Sequence, residues 1–350
     1  MKIAVVLPTW LGDTVMATPT FEALRRHYGG EARLIGVMRP IVGKLLAGTT
    51  WFEERVWYQR KSRDKNLGLG QAARRLRELE VDATFVLPNS FATALLARLS
   101  GAPLRVGYER DGRGWLLNHG LKPPRLGKRY QPISAVDYYL ELAHSVGAPS
   151  TSKTLHLATD LSDDLEAERI WRRLDLVQSQ QVVLFNTGSA NGPSRDWPAE
   201  RFAKLARWIV ANPAASVLVL CGPAERDNAN QIAALADHPR VRSMADEDLS
   251  LGVMKSVIRR GSMLVTTDSG PRHIAAALGV STVTLAGPIN PVWSHNYFAG
   301  DVVVRHPLDC MPCDKNTCPL GHNACMRDLP VDAVFDAVQR NLTSPQRKSA

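Results

Sequence analysis

Short aliphatic and β-branched runs at residues 3–7, 33–38 and 83–87 each precede a longer stretch, at 14–28, 41–47 and 92–99, with amphipathic helical character. Strands that alternate with helices in this way predict a mostly parallel sheet with crossover helices. The second half repeats the arrangement, with strand candidates at 182–185, 216–220, 263–267 and 281–285 and helix candidates at 201–211, 227–236 and 249–259. Between 147 and 180 the alternation breaks at Gly147-Ala148-Pro149-Ser150-Thr151-Ser152, ahead of a charged helix around 163–173. The fold class is therefore α/β, with two Rossmann-like domains at 1–165 and 166–342 and a polar tail, 343–350, expected to fray. Such sheets bind ligands at the carboxyl ends of their strands, and two of them in one chain predict a cleft for function.

Composition narrows the class of protein. A chain of 350 residues, 45% hydrophobic and 22% charged, is large enough for two cores and excludes collagen, a long coiled coil and wholesale disorder. No stretch reaches the roughly 18 apolar residues of a membrane span, and the opening strand runs into Gly12-Asp13 without a cleavage site, so a cytoplasmic protein is expected, with room for a peripheral place on a membrane. The net charge of +9 favours an anionic partner. Eight cations against Asp64 alone fall between Arg55 and Arg77, including Arg60, Lys61 and Arg63. That cluster suits an anionic acceptor or leaflet, or is an ordinary solvated face; without a recognition motif it does not point to nucleic acid.

Three loops follow strand candidates. In the first, Gly12 lets the backbone turn tightly and Asp13 stands at a helix start, either as an N-cap or as a general base for an attacking hydroxyl. In the second, Thr187, Gly188 and Ser189 offer backbone amides to an anion and Arg195 a guanidinium, unless the segment is a plain surface turn. In the third, Asp268-Ser269-Gly270-Pro271-Arg272-His273 opens an alanine-rich helix with Pro271 at its first position. This puts free amides, a hydroxyl and His273 around one point, where Asp268 can accept from sugar hydroxyls; simple capping by Asp268 or Ser269 is the alternative. Two phosphate-suited loops in one half point to a diphosphate nucleotide. Cys310, Cys313, Cys318 and Cys325, with gaps of two, four and six residues, either hold a structural Zn²⁺, His306 or His322 replacing one thiol, or pack a loop as reduced thiols.

In this order the segments resemble glycosyltransferase family 9, the lipopolysaccharide heptosyltransferases, from Lys2 to about Arg340. The resemblance is carried by Gly12-Asp13, Asn89-Ser90, Arg105-Val106-Gly107, Gly192-Pro193 to Trp197-Pro198, Asp268-Ser269-Gly270 with His273, Gly287-Pro288 and the cysteine segment 306–326. It implies a GT-B fold, the first domain gripping the acceptor and the second the nucleotide-sugar, with a C-terminal helix at 331–340 crossing back. It further implies inverting transfer of L-glycero-D-manno-heptose from ADP-heptose to the inner core of lipopolysaccharide, an anionic glycolipid at the inner face of the cytoplasmic membrane, with no cofactor required for catalysis. Asp13 matches the family's catalytic base, and Asp268, Ser269, Gly270 and His273 match its sugar and diphosphate site. Gly12, Arg60, Lys61, Arg63 and Asn89 fall on the acceptor side. The chain departs from the family at Ser194-Arg195-Asp196-Trp197, where Gly-Pro-Ala-Lys-Arg-Trp-Pro is usual, and at Pro271-Arg272, which replaces an apolar pair and brings Arg272 toward phosphate or acceptor. Both departures leave open a different donor or acceptor, or a catalytically silent GT-B module.

Overall fold

The computed structural model describes residues 1–149, 152–188 and 192–343. Ser189 of the second loop and the tail from 344 lie outside the described residues, and so do Ser150 and Thr151 of the expected linker. The chain forms two compact units, one spanning Met1–Ala158 and the other beginning at Thr159. This division precedes the helix Leu161–Arg173, so that helix belongs entirely to the second unit.

The first unit is built on β1 (Lys2–Val6), β2 (Arg33–Met38), β3 (Glu54–Trp57), β4 (Ala83–Val86), β5 (Leu104–Tyr108) and β6 (His119–Leu121). They form one sheet in the order β3-β2-β1-β4-β5-β6, every pair parallel. Ile3 through Val6 and the whole of β4 are buried, as strands covered by helices on both faces must be. A short antiparallel hairpin, β7 (Arg125–Leu126) and β8 (Arg129–Tyr130), follows the sheet. The expected helix 14–28 is two helices, Leu11–Met16 and Thr18–Tyr28. Pro19 has no N–H to continue the first, and the Thr18 hydroxyl donates instead to the Val15 carbonyl at 2.7 Å.

The second unit repeats the plan with β9 (Gln181–Asn186), β10 (Ala215–Leu220), β11 (Val241–Ser243), β12 (Met263–Thr267), β13 (Thr282–Leu285) and β14 (Asp301–Val304). Their order is β11-β10-β9-β12-β13-β14, again all parallel. The helix Ala199–Val210 turns Phe202, Leu205, Ala206 and Ile209 inward at helical spacing. The last helix, Val331–Thr343, packs on it and on β13 and β14, with the Trp208 and Phe335 rings 5.5 Å apart. In both units the strand order reverses beside the first strand, between β1 and β4 and between β9 and β12. Doubly wound sheets place ligands at such reversals.

Candidate active site

In the first unit, β1 leads through Pro8-Thr9-Trp10 into the helix Leu11–Met16. Thr14 closes that loop by donating to the Pro8 and Trp10 carbonyls at 3.2 and 3.0 Å. The N-cap is Trp10, so Asp13, third in the helix, is not a cap. Gly12 is an ordinary helical residue here with no left-handed φ, and the turn does not depend on it. The half-buried Asp13 carboxylate has no hydrogen bond or ion pair among the described residues, and burial pushes its pKa up to about 6. A cavity of about 620 Å³ opens before it, lined also by Trp10, Arg39, Arg60, Lys61 and Asn89. Arg63 is exposed and does not line this cavity. The buried Tyr139 forms part of the wall; desolvation, together with the Asp13 charge, pushes its phenol far above the ordinary range, so it stays neutral.

Asn89 is held by its oxygen, which accepts from Arg113 Nη2 at 3.2 Å and Tyr138 Oη at 3.0 Å. Arg113 is fully buried and also donates to the Tyr108, Pro88 and Ser90 carbonyls, fixing the loop that presents Asn89. Arg39, Arg113, Tyr138 and Tyr139 have no motif of their own in the sequence. Arg39 was the most findable, as the cation that directly follows β2 at its carboxyl end.

In the second unit the structure ties the two anticipated loops together at the β9/β12 reversal. Asn186 Nδ2 donates to Thr266 Oγ1 and Ser269 Oγ, each at 3.1 Å, and to the Gly188 carbonyl at 3.3 Å, which also accepts from Thr267 Oγ1 at 3.2 Å. Thr187 Oγ1 accepts from Asn228 at 2.9 Å. A Cβ on Gly188 would come within 1.6 Å of Glu225 Oε1, so a larger residue there must push the Glu225 carboxylate aside. Arg195 reaches across to donate to the Asp268 carbonyl at 3.1 Å, while its Nε is buried with no partner among the described residues.

The Asp268 carboxylate does not face outward. Oδ1 pairs with Arg272 Nη1 at 2.7 Å and Oδ2 accepts from Ser294 Oγ at 3.2 Å. Arg272, expected near phosphate or acceptor, is only 2% exposed, and its Nε pairs with Asp301 Oδ2 at 2.8 Å. Thr282 and Thr284 each donate to the other oxygen of Asp301 at 2.7 Å. Burial alone would raise the Asp268 carboxyl, but Arg272 and then Arg195 hold it below the usual range. The helix Gly270–Ala277 starts at this network with Ser269 as N-cap and Pro271 at the second position rather than the first. His273 is buried with Nδ1 unpartnered among the described residues, and burial followed by the Arg272 charge pushes its pKa down to about 4, so it is a neutral imidazole. The arrangement offers an anion the first turn of a helix, a guanidinium and a neutral imidazole.

All four cysteines of the C-terminal segment are free and line one narrow cavity of about 20 Å³ with Ser194 and His322. No group of three or more His, Cys, Asp or Glu among the described residues is arranged to hold a metal ion, so the structural zinc reading finds no ligand set. The segment packs against the loop at residues 192–195. Ser194 donates from its N–H to the Asn316 carbonyl at 3.3 Å and from its hydroxyl to the Lys315 carbonyl at 2.7 Å. Gly192, at φ 101°, passes so close that a Cβ would stand 2.5 Å from the Asn316 oxygen.

Two doubly wound parallel units, with an unpaired carboxylate at one switch point and anion-suited loops at the other, match the GT-B fold of glycosyltransferases. The family model for glycosyltransferase family 9 (heptosyltransferase) matches residues 69–324, and the chain belongs to that family. It is 28% identical over 303 residues to the lipopolysaccharide heptosyltransferase 2 of Escherichia coli, covering 83% of this chain and 84% of the relative. With the lipooligosaccharide heptosyltransferase 2 of Campylobacter jejuni it shares 24% identity over 350 residues, 99% of this chain and 100% of the relative. The solved structure of E. coli ADP-heptose lps heptosyltransferase II superposes with a TM-score of 0.78 at 23% identity, covering 98% of each chain.

Proposed function

We propose that this enzyme moves heptose from ADP-heptose to the inner core of a lipopolysaccharide acceptor, with inversion at the anomeric carbon and Asp13 as the base. The observation that carries the reading is the unpartnered Asp13 carboxylate, held near 6 at the wall of a cavity lined by cations. At neutral pH it is ionised yet basic enough to take a proton. The acceptor hydroxyl gives that proton to Asp13 as its oxygen attacks the anomeric carbon; the bond from that carbon to the β-phosphate oxygen breaks, and ADP leaves. Charge gathering on the leaving phosphate is met by Arg195 and by the first turn of the helix Gly270–Ala277. Asn89, Arg60 and Lys61 hold the acceptor, with Arg63 beyond the cavity able to meet a more distant acidic group. Thr187, Gly188, Ser189, Asp268, Ser269, Gly270 and His273 belong to the donor loops, Asp268 as an organiser and not as a direct ligand of the sugar. A phosphate-bearing glycolipid explains the cationic lining, and places the enzyme at the cytoplasmic face of a membrane as a peripheral protein. Among the described residues no helix is long and apolar enough to cross one.

The test is transfer by purified protein from ADP-heptose to a heptosylated lipid A core acceptor, read by mass spectrometry beside Asp13→Ala. Addition by the wild type alone supports the reading; ADP binding without transfer by either protein overturns it. The tether of Arg195 to the Asp268 carbonyl favours examining other nucleotide-sugars in the same assay, since it fixes the guanidinium where the family commonly has a lysine. Gly188→Ala is expected to weaken ADP binding severalfold, because the new methyl pushes the Glu225 carboxylate off its bond from the Gly222 N–H and shifts the loop. Calorimetric titration with ADP checks this, and unchanged affinity would remove Gly188 from the donor site.

A further inference from the structure

The first unit carries a surface outside the Asp13 cavity that fits a bilayer. Phe91 is 46% exposed and Trp115 71% exposed, with their ring centroids 6.2 Å apart. Both hang on backbone that shapes the cavity. Phe91 directly follows Pro88, Asn89 and Ser90, which line it, and Arg113 bonds the Pro88 and Ser90 carbonyls at the foot of the turn Gly114–Leu116 that carries Trp115. A few residues on, the β7/β8 hairpin presents Leu126, 76% exposed, within residues 122–130. That segment holds Lys122, Arg125, Lys128 and Arg129, all exposed, and no acidic residue. Arg110 and Arg125 stand 3.8 and 4.8 Å from the Tyr130 ring centroid, which ties the hairpin to the loop leading into Trp115.

Solvated aromatic and leucine side chains amid cations, with no acid in the hairpin, match the chemistry of a bilayer interface, where Trp is favoured and anionic headgroups attract Lys and Arg. We propose that the first unit docks on an anionic lipid leaflet through Phe91, Trp115 and the basic hairpin. This holds the cavity beside the membrane in which a glycolipid acceptor is anchored, and in that respect it rests on the function proposed above. Each cation near such a surface contributes about fivefold in partition.

The test is co-sedimentation with vesicles of phosphatidylcholine alone and of phosphatidylcholine mixed with phosphatidylglycerol. The wild type is expected to bind the anionic vesicles, less so as salt is raised, and to leave the neutral ones in solution. The triple variant Arg125→Glu/Lys128→Glu/Arg129→Glu is expected to lose about 100-fold or more of that binding. Phe91→Ser/Trp115→Ser is expected to lose about tenfold or more and to stop raising the surface pressure of an anionic monolayer. Both variants should melt as the wild type does and keep its rate toward a core oligosaccharide lacking the lipid anchor, while transfer to vesicle-borne acceptor falls. Variants that bind anionic vesicles like the wild type overturn the docking surface. Binding to native membranes but not to lipid vesicles also overturns it, in favour of a protein partner. Transfer to the soluble oligosaccharide without vesicle binding rejects the docking alone, whereas vesicle binding without any transfer rejects the function alone.

Discussion

Asp13→Asn is expected to remove transfer, by about 10²- to 10⁴-fold in turnover, while raising the melting temperature of the protein at pH 7.5. The two effects share one cause. Burial lifts the carboxyl from 3.8 when unfolded to about 6 when folded, so the native state disfavours its charge. The sign follows from linkage: the folded state binds the proton more tightly, so its advantage is full below about pH 4 and is lost as pH rises through 6. Above that, the ionised carboxylate costs at most about 3 kcal/mol, less to the extent that water reaches the half-buried group. An amide of the same shape avoids this cost at pH 7.5 and loses the advantage near pH 4, where the two melting curves should converge. Wild-type turnover with saturating donor and acceptor-limited rates should fall tenfold per pH unit below about 6. Equal stability of the two proteins at pH 7.5, or a flat rate profile down to pH 5, would falsify the assignment of Asp13 as an isolated raised-pKa base.

Arg272→Met is expected to be the most destabilising single change in the second unit. The guanidinium neutralises two buried carboxylates, Asp268 and Asp301, and truncating it leaves both without their cation. Breaking such a buried arrangement from one side costs about 3–5 kcal/mol. The loss should appear as earlier unfolding of the second unit and as loss of ADP binding even below its melting range, because the Asp268 carbonyl also accepts from Arg195. Asp301→Asn should be milder, since its amide oxygen can still accept from Thr282 and Thr284. Chemical denaturation of both variants, followed by ADP titration under native conditions, checks the order. Should Arg272→Met cost no more than Asp301→Asn, the network is peripheral to both stability and binding.

The strands that the sequence made visible are those buried on both faces, such as β1, β9 and β12, which are rich in aliphatic and β-branched residues. β3 was hidden because Glu54 and Arg55 share four residues with Val56 and Trp57, and β14 because its residues are mostly half-exposed. The helix Leu69–Glu78 was read as part of a basic cluster, since its buried face is only Ala72, Ala73 and Leu76. At the site, Asp13 was legible because it follows a strand by a fixed local spacing. The commitment of Asp268 and Arg272 was not, because their partners Ser294 and Asp301 arrive 22 and 29 residues beyond Arg272, in a connection and at the start of β14. Arg113 likewise reaches Asn89 across 24 residues that show no shared pattern.

The closure of the turn at Ser194 by the Lys315 carbonyl, 121 residues later, also bears on how the protein is made. Domains fold largely as units while the chain emerges from the ribosome, the amino-terminal one first. The first unit can settle once residue 158 is out, whereas the loop bearing Arg195 gains its bond to the Asp268 carbonyl 73 residues later and its brace from the Lys315 carbonyl later still. A nascent chain therefore carries its Asp13 pocket well before the loop around Arg195 is braced by residues 315 and 316.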